Sequence, residues 1–125
     1  MCSSDLTTIT VKGDAVAPTV SVSQTGSNSY LNGSTLYYRS GQAGSFTLTA
    51  SVSDSLSGAA SASFPDISTT GWTHSAETVS SGSGSNPVAY TSSAFAWTAS
   101  PSNPANYTVT GSDNAGNTEI GRAHV

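Results

Sequence analysis

Apolar residues recur at every second position along much of this chain. From Ser45 to Ser53, Phe46, Leu48, Ala50 and Val52 fall on one side, and Thr47, Thr49 and Ser51 on the other. Successive side chains of an extended backbone point to opposite faces, so a period of two predicts a half-buried strand. The same alternation puts Val20 and Val22 on one face of Thr19 to Gln24. It groups Ala60, Ala62 and Phe64 in a run that Pro65 ends. Near the C-terminus it sets Tyr107, Val109 and Gly111 against Thr108 and Thr110. Phe95 and Trp97 share a face, with Ala94 and Ala96 on the other. No stretch has the period of an amphipathic helix. Strands with one apolar and one polar face predict antiparallel sheets packed on one side and wet on the other.

Turn residues separate these runs. Asn32-Gly33 lies between Tyr30-Leu31 and Leu36 to Tyr38, a hairpin signal. Asp54 to Gly58 links two strands, Ser80 to Pro87 is a Ser/Gly-rich loop, and Pro101 to Pro104 is a tight connection. Asp113-Asn114-Ala115-Gly116-Asn117 is a strong turn, because Asn and Gly tolerate positive φ. Short strands with frequent turns predict an all-β sandwich.

Composition narrows the function classes. Charged residues make up only 8% and hydrophobic ones 35%, with a net charge of −4. Lys12, Arg39 and Arg122 are the cationic side chains. Nucleic acid needs clustered Lys and Arg to neutralise phosphates, so it is excluded as a partner. No apolar run has the length of a membrane span. The one cysteine, Cys2, cannot make a disulfide framework or a Cys-based zinc site. Scarce Lys with abundant Ser and Thr points to an extracellular or cell-surface protein.

Three segments together resemble bacterial immunoglobulin-like (Ig-like) repeats. Ala17-Pro18-Thr19-Val20 looks like the linker and first strand that open such a repeat. Gly44 to Ala50, followed by Asp54 and Ser57-Gly58, looks like its second strand and next loop. Tyr107 to Thr110, followed by Asp113 to Asn117, looks like its penultimate strand and turn. The resemblance implies a seven-strand-type Greek-key β-sandwich and neighbouring Ig-like repeats as partners in the same chain.

The two ends carry a separate signal. Ile120 to Val125 can be written ATC GGA AGA GCA CAC GTC, whose reverse complement reads through Met1 to Asp5 from a GTG start. Such an inverted repeat resembles a sequencing-library adapter on both ends of an insert. On this reading residues 1–6 and 119–125 are adapter-derived scars. Residues 7–12 are the last strand of a preceding repeat, 13–18 a linker, and 19–118 an Ig-like domain missing its last strand. The edge of the strand holding Val109 is then expected to stay open, since Thr7 to Lys12 barely has the reach to cover it.

Candidate sites are few. Asp54, Asp113, Asn114 and Asn117 sit on predicted loops and carry oxygen ligands suited to Ca²⁺, although not at EF-hand spacing. Asp14 and Asp54 are a further pair placed to meet an ion at a module boundary. Trp72, Tyr37 and Tyr38, with Trp97 and Tyr90, are aromatic candidates for stacking on sugars. Core filling is the expectation for Trp97 and Phe95. Tyr107 is expected to act as a tyrosine corner, bonding nearby backbone. His74 is expected on the surface, and no catalytic group is assigned. Asn32-Gly33-Ser34 and Asn106-Tyr107-Thr108 fit the N-glycosylation pattern, which in a bacterial protein ordinarily carries no sugar. The expected role is a non-catalytic spacer without a cofactor. The alternative is a carbohydrate-binding or adhesin module that meets a host surface.

Overall fold

The structure is a computed structural model that describes residues 8–123. The readings of residues 1–6, Thr7 and residues 124–125 lie outside the described residues. The strands are β1 (Thr19–Ser27), β2 (Ser29–Asn32), β3 (Thr35–Tyr38), β4 (Gly44–Ser53), β5 (Ala59–Phe64), β6 (Trp72–Thr73), β7 (Glu77–Val79), β8 (Val88–Thr91), β9 (Phe95–Trp97), β10 (Tyr107–Asp113) and β11 (Thr118–Ala123). No helix occurs among the described residues. One sheet runs β1-β4-β9-β6, with β8 also on β4, and a second runs β11-β10-β5-β7. All pairs are antiparallel. The architecture is all-β and sandwich-like.

The alternation read from the sequence is the alternation of burial. Phe46, Leu48, Ala50 and Val52 of β4 are buried, as are Tyr107, Val109 and Gly111 of β10. The two sheets approach closely where β10 carries Gly111. A Cβ there would lie 2.5 Å from Val20 Cγ2 and 3.0 Å from Val52 Cγ2, so only a hydrogen fits between the layers.

Toward the other end the core turns aromatic. Phe46 and Phe95 stack with centroids 4.9 Å apart, and Trp72 and Trp97 meet at 5.2 Å. Trp97 Nε1 donates to the carbonyls of Gln42 at 2.8 Å and Arg39 at 3.1 Å, which satisfies the indole and pins the loop before β4. Each large side chain buried this way contributes about 1.5–3 kcal/mol.

The hairpin forms as predicted between β2 and β3, but its two loop residues are Gly33 and Ser34, because Asn32 pairs with Thr35. Only the first of them has positive φ (Gly33, 62°), which suits glycine at that position. Three short strands, β6, β7 and β8, were not legible in the sequence.

The expected open edge is absent. β11 pairs along β10 from Ser112↔Thr118 to Tyr107↔Ala123. The place expected to be empty is thus filled by β11, whose residues from Glu119 on were read as lying outside the domain. The physical reason is that a sheet edge recruits by main-chain hydrogen bonds, which are indifferent to how the partner's residues were encoded. Buried Gly121 also suits the place, since a Cβ there would lie 2.8 Å from Val20 Cγ1 and 2.9 Å from Val22 Cγ2. Thr8 to Lys12 forms no strand, and Ile9 (79%) and Val11 (90%) are exposed.

Candidate functional site

The register fixes two poles. Thr19 of β1 faces Ser53 of β4, and Ser112 of β10 faces Thr118 of β11, so the start of β1 and the β10–β11 turn share one end. Three carboxylates gather at this pole. Asp54 follows β4, Asp113 closes β10, and Asp14 lies in the segment leading to β1. One oxygen from each lies within 4.8 Å of the others. Among the described residues no Lys, Arg or His side chain lies in salt-bridge distance of the three, and Lys12 lines the same shallow pocket as Asp14.

Local hydrogen bonds hold each carboxylate in place. Asp14 Oδ1 accepts the Val16 N–H at 3.1 Å, and Asp14 Oδ2 accepts the Ser57 hydroxyl at 2.5 Å and the Ser57 N–H at 3.3 Å. Asp54 Oδ1 accepts the Leu56 N–H at 2.8 Å. Asp54 Oδ2 is buried, and no N–H group reaches it. Asp113 Oδ1 accepts the N–H groups of Asn117 at 2.8 Å and Ala115 at 3.0 Å. Burial by itself would push the Asp113 carboxyl up. The Asn117 side chain and N–H, the Asp54 carboxyl and the Ala115 N–H outweigh it and hold the group down to about 2.

Of the four residues proposed for calcium, the fold brings Asp54 and Asp113 together and adds Asp14. Asn117 joins them as a donor: its side-chain amide bonds Asp113 Oδ2 at 3.0 Å and the Asp14 carbonyl at 2.8 Å. Asn114 stays apart and braces the neighbouring loop through the Ser57 carbonyl at 2.9 Å.

The aromatic candidates divide. Trp72 (6% exposed) and Trp97 (3%) are core residues, which corrects Trp72 as a sugar-stacking side chain. Trp72 Nε1 donates to the Ser102 carbonyl at 3.1 Å, and its ring meets Tyr38 edge-on at 4.9 Å. Tyr38 packs on this core, and its hydroxyl donates to Asn103 Oδ1 at 3.2 Å. Tyr90 is buried. Tyr37 alone of the set is exposed, paired across the hairpin with exposed Tyr30.

His74 is buried rather than on the surface. Its ring stacks on Phe95 at 3.6 Å, Nδ1 lies 3.2 Å from the Ala94 carbonyl, and Nε2 lies 3.4 Å from Glu77 Oε2. The signal was present: Trp72 and His74 alternate with exposed Thr73, as in any strand facing a core. Tyr107 donates its hydroxyl to the Pro65 carbonyl, across the sheet rather than to nearby backbone. Burial, with the negative charge of Glu77 and Asp66, pushes its phenol far up.

No protein-family model, curated protein or solved structure matches this chain.

Proposed function

We propose that this chain is an Ig-like spacer module of a larger extracellular or cell-surface protein, joined to neighbouring modules end to end. The observation that carries this reading is the path of the backbone. Asp14 and Thr19 lie at the pole of Asp54 and Asp113, whereas Ala123 faces Tyr107 at the opposite pole. A chain that enters at one end and leaves at the other can be strung into a linear array. Each copy then adds about one sandwich height, roughly 30 Å for the length of a nine-residue strand.

The strand order supports the Ig-like reading. β1-β4-β9 opposite β11-β10-β5 matches the two layers of such a sandwich. The short β6 and β7 alternate between the sheets and depart from the usual order. On this reading Glu119 to Ala123, the residues that resemble adapter coding, stand in for the last strand of the parent protein. The spacer is non-catalytic. Its side chains serve packing, turns and the acidic pole.

Small-angle scattering of one, two and three tandem copies tests the proposal. The maximum dimension should grow by roughly 30 Å per copy. A compact multimer of constant length would contradict it.

One observation favours a second reading, a carbohydrate-binding or adhesin module. Tyr30 (63% exposed) and Tyr37 (59%) sit directly opposite each other on the hairpin. Glycan-array binding that is lost in Tyr37→Ala would establish that role.

A further inference from the structure

We propose that the outer face of the β2–β3 hairpin binds a carboxylated sugar, with Tyr30 and Tyr37 under the sugar ring and Arg39 on its acid group. The inference rests on the carbohydrate reading given above and leaves the spacer role untouched. Tyr30 and Tyr37 are register partners, and both are exposed. Leu36 and Tyr38 point the other way, into the core, as strand alternation requires. Arg39 continues the ladder one step beyond β3, its N–H bonded to the Asn28 carbonyl at 2.8 Å. Two residues from Tyr37, it falls on the same outer face, roughly 7 Å further along. Asn32 and Thr35 close that face at the turn.

Charge selects an acidic ligand. Arg39 is the only charged side chain between Asp14 and Asp54. Its backbone is fixed, because its carbonyl accepts Trp97 Nε1 at 3.1 Å. The residue is exposed, and no carboxylate among the described residues lies in salt-bridge distance of its guanidinium. The three aspartates lie at the opposite pole, since β1 runs from Thr19 beside Ser53 to Ser27 beside Ser45 before the hairpin begins. The chain as a whole carries −4, so it repels anions in general. An anion held on this face is held by Arg39, whose planar fork matches a carboxylate with two parallel bonds.

Area selects a sugar over a protein. Two tyrosines exposed to 63% and 59% present roughly 200–300 Å². A stable protein interface needs about 800 Å² on each side. The patch matches one or two sugar rings instead. Their C–H faces stack on the phenols, and their hydroxyls meet the small polar side chains Asn32, Ser34 and Thr35. The hairpin is held from beneath by buried Leu36 and by Tyr38, whose hydroxyl bonds Asn103. The face is therefore preformed, and little ordering opposes binding.

The test is a calorimetric titration of the 125-residue chain with sialyllactose and, separately, with a galacturonate trimer. Lactose and the methyl ester of the trimer are the neutral counterparts. An acidic sugar should bind with a Kd of about 1 mM, which two stacking contacts and one charge-assisted pair supply. Which of the two binds tells a sialic from a uronic acid. The neutral counterpart should bind at least ~10-fold more weakly. Arg39→Gln should abolish that preference, and Tyr37→Ala should weaken binding of the acid roughly 2–12-fold. Both positions are exposed, so both variants should keep the circular dichroism spectrum of the parent chain. Neutral sugars binding as tightly as acidic ones, with loss in Tyr37→Ala alone, would overturn the proposal and keep the carbohydrate reading. No saturable heat from any of the four up to about 10 mM, well above the expected Kd, would overturn the proposal, and the carbohydrate reading would then stand or fall on the glycan array.

Discussion

The side-chain amide of Asn117 bonds the Asp14 carbonyl at 2.8 Å, joining residues 103 positions apart. The same nitrogen reaches Asp113 Oδ2 at 3.0 Å. One amide thus ties the segment before β1 to the turn after β10. Removing it leaves a carbonyl and a carboxylate oxygen short of a donor. Asn117→Ala should therefore cost about 1–3 kcal/mol, the penalty for unsatisfied polar groups in a partly buried site. Urea denaturation monitored by tryptophan fluorescence measures it. An unchanged midpoint would show that the tie contributes nothing.

Gly111→Ala tests the closeness of the two layers. The added methyl would meet Val20 and Val52 at 2.5 and 3.0 Å, and neither valine has a flexible end to move. Overpacking of this kind costs about 1–3 kcal/mol. The melting temperature should fall, while an exposed control such as Thr108→Ala should leave it nearly unchanged.

Trp72→Ala and Tyr37→Ala should separate sharply. Truncating a buried aromatic costs about 3–5 kcal/mol. Truncating Tyr37, exposed on its hairpin, should stay within about 1 kcal/mol. Equal effects in chemical denaturation would mean that Trp72 is not in the core.

Tyr107 makes stability depend on alkaline pH. Burial, then Glu77 and Asp66, raise its phenol above the unfolded value of 10.0, and burial also raises Tyr90. A raised folded value favours the neutral form. Its contribution is complete below pH ~10 and is lost as pH climbs beyond that, because the unfolded chain ionises first. Tyr107→Phe should lose about 0.5–1.5 kcal/mol at neutral pH with the hydroxyl's bond to Pro65. It should also show a shallower decline above pH ~10. Denaturation curves at several pH values read both effects, and an identical alkaline slope would count against this role for Tyr107.

How much of this was legible follows from the kind of signal. β4 and β10 were readable because their burial is strictly periodic, and a side-chain period of two has one structural meaning. β6, β7 and β8 were not, because each is only two to four residues long and is flanked by Ser-, Thr- and Gly-rich sequence that hides its alternation. His74 was misplaced because an imidazole counts as polar, although it sits in phase with Trp72. β11 was set aside because its residues resemble adapter coding, and that resemblance carries no information about main-chain pairing. At the acidic pole the residue types Asp54 and Asp113 were visible in advance. That Asp14 joins them, while Asn114 turns away, depends on the three-dimensional course of two loops and a linker.

The backbone enters at the Asp54 pole and leaves at the Tyr107 pole. Spin labels at Ser55→Cys and Ala105→Cys, in a chain carrying Cys2→Ser, measure that separation by double electron–electron resonance. Both positions are exposed and lie in the loops at opposite ends. A single distance of roughly 30 Å is predicted from the length of the strands between them. A peak below roughly 20 Å, shorter than those strands allow, would contradict the account.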